Sequence, residues 1–355
     1  METAKNNKKS MCFSRVETEQ TVIIPDYKET LPGNDDSFVK YGPFNTFPNE
    51  LRTLVKESVS ASSVINAITE YFSGLEYEFK ETANITRERI NRDGDTLDDL
   101  IEACVRDNAT FGGYAIQVIY NKLDEIAELY SIPMEFLRTN ESRTRFWFSK
   151  KWSKYSSKAV EYKCFEDRTK DDKSCIMMYS NAGRLQVYPI TPFTPALYDM
   201  YAEATTGKYI AKTLDSGISA RYIVSLPNSQ NLTDEQKEDI EEGVKAKFTG
   251  LENAGEFMLY FNNGDQGLEV EKIESDNSHD IFNNISSAAS LRIYQSLHTT
   301  PALCGNPSLS SGFNSNEYDE SYRLFVKMTL KPIAKDIARG INRIMGIDTI
   351  KINID

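Results

Sequence analysis

Two histidines, His279 and His298, are the whole imidazole complement of this 355-residue chain, and neither has a Cys, His or Glu at the spacing a tetrahedral zinc site needs. Carboxylates are far more plentiful and come in pairs: Asp35 with Asp36, Asp98 with Asp99, Asp171 with Asp172. The chemistry open to such groups is to bind magnesium for attack on a phosphodiester, which requires them to converge in space. Their positions in loops or in the first turn of a helix give them another use, because negative charge there complements the helix dipole. The segment NRDGDTLDD places Asn91, Asp93 and Asp95 at the first, third and fifth positions of a calcium loop, with Glu102 at the twelfth. Its glycine, Gly94, falls at the fourth position, while Thr96 stands at the sixth, where the sharp turn needs glycine. Thr96 with Asp99 three residues later reads instead as a capping box that opens a helix. No GxSxG, P-loop or HExxH occurs, and Gly112 and Gly113 read as the start of a strand and not as a phosphate cradle. Five cysteines at scattered spacings, Cys12, Cys104, Cys164, Cys175 and Cys304, suit reduced thiols better than a disulfide framework, although Cys164 and Cys175 could face each other across a hairpin.

Composition sets the frame for these residues. Apolar residues make up 40% and aromatics 11% of the chain, enough for a real core, and the formal charge of −12 argues against a sequence-reading DNA binder with a basic face. No window approaches a membrane span, and the lysines near the start have no apolar run behind them, so a cytoplasmic site of synthesis is expected.

Residues 1–37 are polar and read as a flexible or partner-dependent arm, with Lys5, Lys8 and Lys9 as a basic tip. The apolar spacing from Glu50 to Phe72 predicts one amphipathic helix. A second helix from Thr96 runs through Leu100, Ile101, Cys104 and Val105, and leads into the strands YAIQVIY and IAELY. The alternating, aromatic stretch from Phe146 to Tyr188 predicts a small unit of short strands. Pro189, Pro192 and Pro195 forbid helix until Pro195 takes a first-turn position; the helix then runs to Ser216 and stops at Gly217, on the order of 33 Å long. Next come a strand ARYIVSLP, a helix capped by Thr233 and Gln236 and closed at Gly250, and the strands EFMLYF and LEVEKI. A helix follows over 276–299. The last helix, Glu317 to Met345, keeps its apolar stripe on both sides of Pro332, which should kink it. Ile350, Ile352 and Ile354 alternate as an edge strand available to a neighbouring subunit.

The run LHTTPALCGNPSLSSGFNSNEYDESYRLFVKMTLKPIAKDI, residues 297–337, has a helix end, a turn with Thr300, Pro301 and Gly305, a small-residue loop, and a helix interrupted by Pro332. This order resembles the C-terminal third of tailed-bacteriophage portal proteins. The order around FGGYAIQVIYN and IPMEFLRT resembles the portal wing, and the turn GLENAG at Gly250 to Gly255 with its flanking strands is also similar to that family; together the resemblance covers roughly residues 40–345. It implies an α+β, portal-like fold: a flexible arm over 1–37, a mixed wing domain over 38–149, and a β-rich clip over 150–192. A long stem helix follows over 193–217, the second part of the wing and a channel helix over 218–299, a channel loop over 300–316, and a C-terminal kinked helix and strand over 317–355, with a minimal or absent crown. The loop residues singled out are Asn306, Ser308, Leu309, Ser310, Ser311, Phe313 and Asn314, uncharged groups that would let a duplex slide where arginines and lysines would grip it. The resemblance further implies a non-enzymatic ring of about twelve copies, without cofactor, at one vertex of the virion, assembled in the host cytoplasm. Its partners would be the major capsid protein, the terminase large subunit, tail or neck adaptor proteins, and double-stranded DNA passing without sequence specificity; no membrane is involved. The competing readings are a metal-dependent nucleic-acid enzyme built on the acidic clusters, and another head-assembly adaptor.

Overall fold

The computed structural model describes residues 23–33, 35–152, 159–183, 185–215, 222–226, 257–261, 269–272, 278–305 and 315–354. The first helical stretch is two helices where one was expected. Helices α1 (Phe47–Glu57) and α2 (Val59–Ser73) meet at Ser58, whose extended backbone breaks the run and whose hydroxyl accepts the Ala61 N–H at 3.2 Å. Serine offers the chain a capping bond outside the helix, a local choice that a periodicity count does not register. Helix α3 (Leu97–Phe111) opens on Thr96 with both halves of the capping box to Asp99 in place. It ends at Gly112 in the left-handed region, φ 78°, where a Cβ would lie 2.3 Å from the Ile190 carbonyl oxygen.

The strands in chain order are β1 (Glu29–Thr30), β2 (Lys40–Tyr41), β3 (Tyr77–Phe79), β4 (Gly113–Tyr120), β5 (Ile126–Ile132), β6 (Leu137–Thr139), β7 (Arg145–Phe148), β8 (Val160–Cys164) and β9 (Ser174–Ser180). Six of them form one sheet in the order β5-β4-β9-β8-β7-β6. This corrects the expected separate β unit over 150–192. β9 pairs with β4 along its length, Gly113 opposite Ser180, and β8 pairs with β7, so both complete the sheet that β4 to β7 begin. Spacing along the chain shows that a segment is a strand but not which neighbour it pairs with. Cys164 and Cys175 sit on the adjacent strands β8 and β9 as free thiols.

The expected arm is also shorter than 1–37. Pro25 is buried, the Glu29 carboxylate accepts the N–H groups of Val187 and Tyr188 at 2.9 and 2.7 Å, and Tyr27 meets Tyr41 and Phe47 edge-on. Residues 1–22, with Lys5, Lys8 and Lys9, lie outside the described residues.

A 3-10 turn holding Pro195 leads into α4 (Leu197–Asp215). Beyond it β10 (Tyr222–Leu226), β11 (Phe257–Phe261) and β12 (Glu269–Lys272) form a second sheet in the order β11-β10-β12, with β10 parallel to β11 and antiparallel to β12. The helix expected from Thr233 to Gly250 lies outside the described residues. Helix α5 (Ser278–Ser296) packs back along α4. The last helical run is α6 (Ser315–Phe325), a π-helical turn Val326–Leu330, and α7 (Lys331–Met345). The Lys331 N–H reaches the Val326 carbonyl five residues back, and this widened turn sits where the Pro332 ring would collide with the carbonyl four residues before it. β13 (Ile350–Ile352) pairs antiparallel with β3 of its own chain, which covers one of its two edges.

One charged cluster binds these layers. Arg52 of α1 bonds Asp107 of α3 at 2.7 Å and Glu135 at 2.8 Å, while the other Asp107 oxygen accepts the Met134 N–H at 3.0 Å. Burial pushes the Asp107 carboxyl up from 3.8 to about 6 against the pull of Arg52. A folded-state value above the unfolded one gives a contribution that is full below the unfolded value and is lost as pH rises through the folded one. The stability of the native chain relative to the Asp107→Asn variant should therefore fall by on the order of 2 kcal/mol between pH 4 and pH 7. Urea unfolding of both proteins across that range checks it, and a flat difference would refute it.

Candidate functional site

The seven residues expected to form a loop, Asn306, Ser308, Leu309, Ser310, Ser311, Phe313 and Asn314, lie outside the described residues. What is described is the frame that holds both of its ends. On the outgoing side α5 stops after Ser296, and the chain turns at His298, φ 52°, because the Thr299 N–H folds back to the Tyr294 carbonyl at 3.1 Å. Pro301 then starts a 3-10 turn, Pro301–Cys304, which ends on Gly305 at φ 80°. Leu303 inside that turn is buried, and burial pushes the Cys304 thiol up, away from thiolate chemistry.

On the returning side α6 is fastened to α2. Tyr71 of α2 shares a hydrogen bond with Tyr318, oxygens 2.9 Å apart, and packs edge-on against Phe325 with ring centres 5.5 Å apart. The Thr329 hydroxyl donates to the Leu297 carbonyl at 2.9 Å, tying the π turn to the end of α5. Both ends of the loop thus pack against α2, and the Thr329 bond to Leu297 ties them to each other. The 318, 322, 325 spacing marks an aromatic face in the sequence, but Tyr71, its partner, lies 247 residues away and carries no local signal.

The second element of the site is the pair α4 and α5. Asp199 on α4 and Arg292 on α5 form an ion pair at 2.8 Å. Glu203 of α4 accepts the Ser60 hydroxyl at 2.7 Å and also takes the Ser58 hydroxyl, placing a carboxylate at the N-terminus of α2. Met200, Ala204, Ala289 and Ile293 are buried in this packing. The outward faces remain apolar: Tyr198 is 72% exposed, Leu291 52% and Ile285 42%. Tyr198 and Leu291 each precede a member of the ion pair in the chain.

The acidic pairs are spent locally. Asp99 caps α3, Asp172 accepts the Thr169 N–H at 2.9 Å and pairs with Lys163, and Asp35 takes the Ser142 hydroxyl at 2.6 Å. Asn91 uses its side chain to hold Asp95 and the Leu129 carbonyl. Among the described residues there is no group of three His, Cys, Asp or Glu side chains placed to hold a metal, and no helix long and apolar enough to cross a membrane.

Compared with known proteins, residues 68–354 match the family model described as phage portal protein. No curated protein matches the sequence. Among solved structures the chain is similar to one in the neck of a native GTA particle computed with C12 symmetry, at a TM-score of 0.59 and 16% identity, covering 87% of this chain and 84% of that one. It is equally similar to one in the virion of a native gene transfer agent particle, at a TM-score of 0.59 and 16% identity, with 88% and 86% covered. A HK97 family phage portal protein from Corynebacterium diphtheriae follows at 0.54 and 15%, with 87% and 95% covered. At these identities the structural likeness speaks for a shared mixed α and β fold.

Proposed function

Because this chain belongs to the phage portal protein family, a structural and non-enzymatic component of the capsid, we propose that its copies close into a ring at one vertex, the channel through which double-stranded DNA is packaged and ejected. The ring would have about twelve subunits, in line with the C12 symmetry used for the similar GTA neck. The observation that carries this reading is the helix pair α4 and α5 with Tyr198, Ile285 and Leu291 exposed on it. Large apolar side chains left bare on a single copy suit a surface that another copy covers, and a ring requires such a surface to meet a different one on the next subunit.

On this reading α4 and α5 are the stem. The small sheet of β10, β11 and β12, which lies between them in the chain, takes the role of the clip in place of residues 150–192. The six-stranded sheet with α1 to α3 is the wing. The clip end would meet the terminase large subunit during packaging and the tail or neck adaptor proteins afterwards, and the wing would meet the major capsid protein; the ring would reside in the virion after assembly in the host cytoplasm. The 300–316 segment would line the channel. Its uncharged side chains support sliding, since each phosphate neutralised by a basic group releases counterions and raises affinity.

Native mass spectrometry with negative-stain microscopy tests the ring directly: a closed assembly with a central hole is expected, and a protein that stays at single copies would sink the reading. Replacing Leu309 and Phe313 together by alanine tests the loop. Ring mass should stay unchanged while DNA packaged per particle falls by roughly tenfold, the order expected from losing a few well-placed contacts. Collapse of the ring would mean that the loop is core, and unchanged packaging would remove it from the DNA path.

A further inference from the structure

Helix α7 and strand β13 leave between them an open groove of about 360 Å³, with Ala338, Ile352 and Ile354 on its floor and Lys331, Lys335 and Lys351 on its borders. In a chain of formal charge −12 these lysines stand apart, and none of the three has a carboxylate partner among the described residues. The groove also has an open strand edge. Among the described residues β13 pairs only with β3, and the Lys80 N–H to Thr349 carbonyl bond and the Asn353 N–H to Glu76 carbonyl bond show which positions face that partner. The main chain of Ile350 and Ile352 therefore faces the other way. At Ile350 the edge is closed by the Asn342 side chain, at 2.8 and 2.9 Å; at Ile352 it is open. A half-covered edge beside an apolar floor is the geometry into which an extended peptide adds a strand.

We propose that this groove receives residues 16–22 of a neighbouring copy, VETEQTV, as an added strand; the inference rests on the ring reading above. The segment is rich in β-branched residues, and as a strand would set Val16, Thr18, Gln20 and Val22 on one side and Glu17, Glu19 and Thr21 on the other. Two carboxylates two residues apart on a strand are about 7 Å apart, close to the roughly 6 Å between Lys331 and Lys335 one helical turn apart. Position argues for a neighbour and against the same chain. The described chain before β2 runs along the β6 edge of the large sheet, where the Val39 N–H bonds the Thr139 carbonyl. β3, the partner of β13, leads into a loop held on the opposite edge, where the Asn84 and Asn91 side chains bond the carbonyls of Ile126 and Leu129 on β5. A strand leaving one edge and a groove at the other is a head-to-tail contact, the kind that closes a ring.

The test places the photo-crosslinker p-benzoylphenylalanine at Ile352, and separately at Ile354, in the full-length protein, with native mass recorded on the same sample. Illumination should give a band at twice the 40.3 kDa chain mass on a denaturing gel, and its crosslink should map to residues 16–22. Lys331→Glu, Lys335→Glu and Lys351→Glu together should cut that band by about tenfold, and adding Glu17→Lys with Glu19→Lys should restore it. Rings whose crosslink stays within one chain, maps elsewhere or is missing overturn this inference alone. Single copies without the doubled band overturn it together with the ring reading.

Discussion

Gly340→Ala should lower folding stability by about 3 kcal/mol, a large value for the addition of one methyl group. A Cβ at this position would stand 2.0 Å from the Tyr114 hydroxyl oxygen, 2.9 Å from Tyr114 Cζ and 3.1 Å from Met177 Cε. Tyr114 cannot step aside at no cost. It is 1% exposed, its ring stacks on Tyr179, and its hydroxyl donates to the Asp336 carbonyl of the same helix at 2.7 Å. Relief requires either losing that bond, which strands a buried hydroxyl, or moving α7 off β4 and β9. The double variant Gly340→Ala with Tyr114→Phe removes the closest atom, so its cost should be less than the sum of the two single changes. Urea denaturation of the four proteins measures this. A cost of Gly340→Ala below about 1 kcal/mol would mean that α7 slides on the sheet with little resistance.

Arg138→Met is expected to be about as damaging, near 4 kcal/mol, for an electrostatic reason. Arg138 is fully buried and among the described residues forms no ion pair with a carboxylate; its guanidinium bonds neutral oxygens. Nε donates to Asn45 Oδ1 at 2.6 Å, Nη2 to the Asn45 carbonyl at 2.7 Å, and Nη1 to the carbonyls of Leu137 and Glu135 at 2.7 and 3.2 Å. The plane also lies over Trp152, 4.8 Å from its centre. Burial pulls its pKa down to about 10, so the side chain stays charged at neutral pH. Asn45, at φ 63°, uses the same Oδ1 to accept the Tyr41 N–H, so the arginine pins the turn that joins β2 to α1. Methionine fills the space but removes a donor from each of these oxygens, leaving Asn45 Oδ1 with the Tyr41 N–H alone, and lysine cannot replace the fork. Both variants should unfold at lower urea than the native chain, with lysine no better than about halfway; full retention by lysine would show that charge alone suffices there.

Much of this arrangement is legible in the sequence where the determinant is local. Thr96 and Asp99 announce the start of α3 because the capping bond spans three residues, and Pro195 announces α4 because a proline excludes helix before it. The strands of the large sheet are visible as alternation. Their pairing is not, since β9 inserts beside β4 from far along the chain, and that choice led the 150–192 segment to be read as a unit of its own. The same holds for the site. Pro301 and Gly305 mark the outgoing turn of the loop by residue type alone, whereas Tyr71 and the exposed faces of α4 and α5 gain meaning only once α2, α4 and α5 are seen side by side. Ser58 is a local determinant that helical spacing hides, because the apolar stripe carries on through it.

The π turn before Pro332 has a consequence in phase. At roughly 100° per residue, an unbroken α-helix would set Phe325 and Ile337 about a third of a turn apart; the one extra residue of the wide turn brings them back to within about 20° of each other. That residue acts as a phase slip, and it lets the Tyr318, Tyr322 and Phe325 face and the Ile337, Ile341 and Ile344 face seat on one body. An insertion or deletion within Val326–Leu330 would therefore be transmitted to the returning end of the loop as a rotation of about 100°, while a change of length inside the loop would leave that angle untouched.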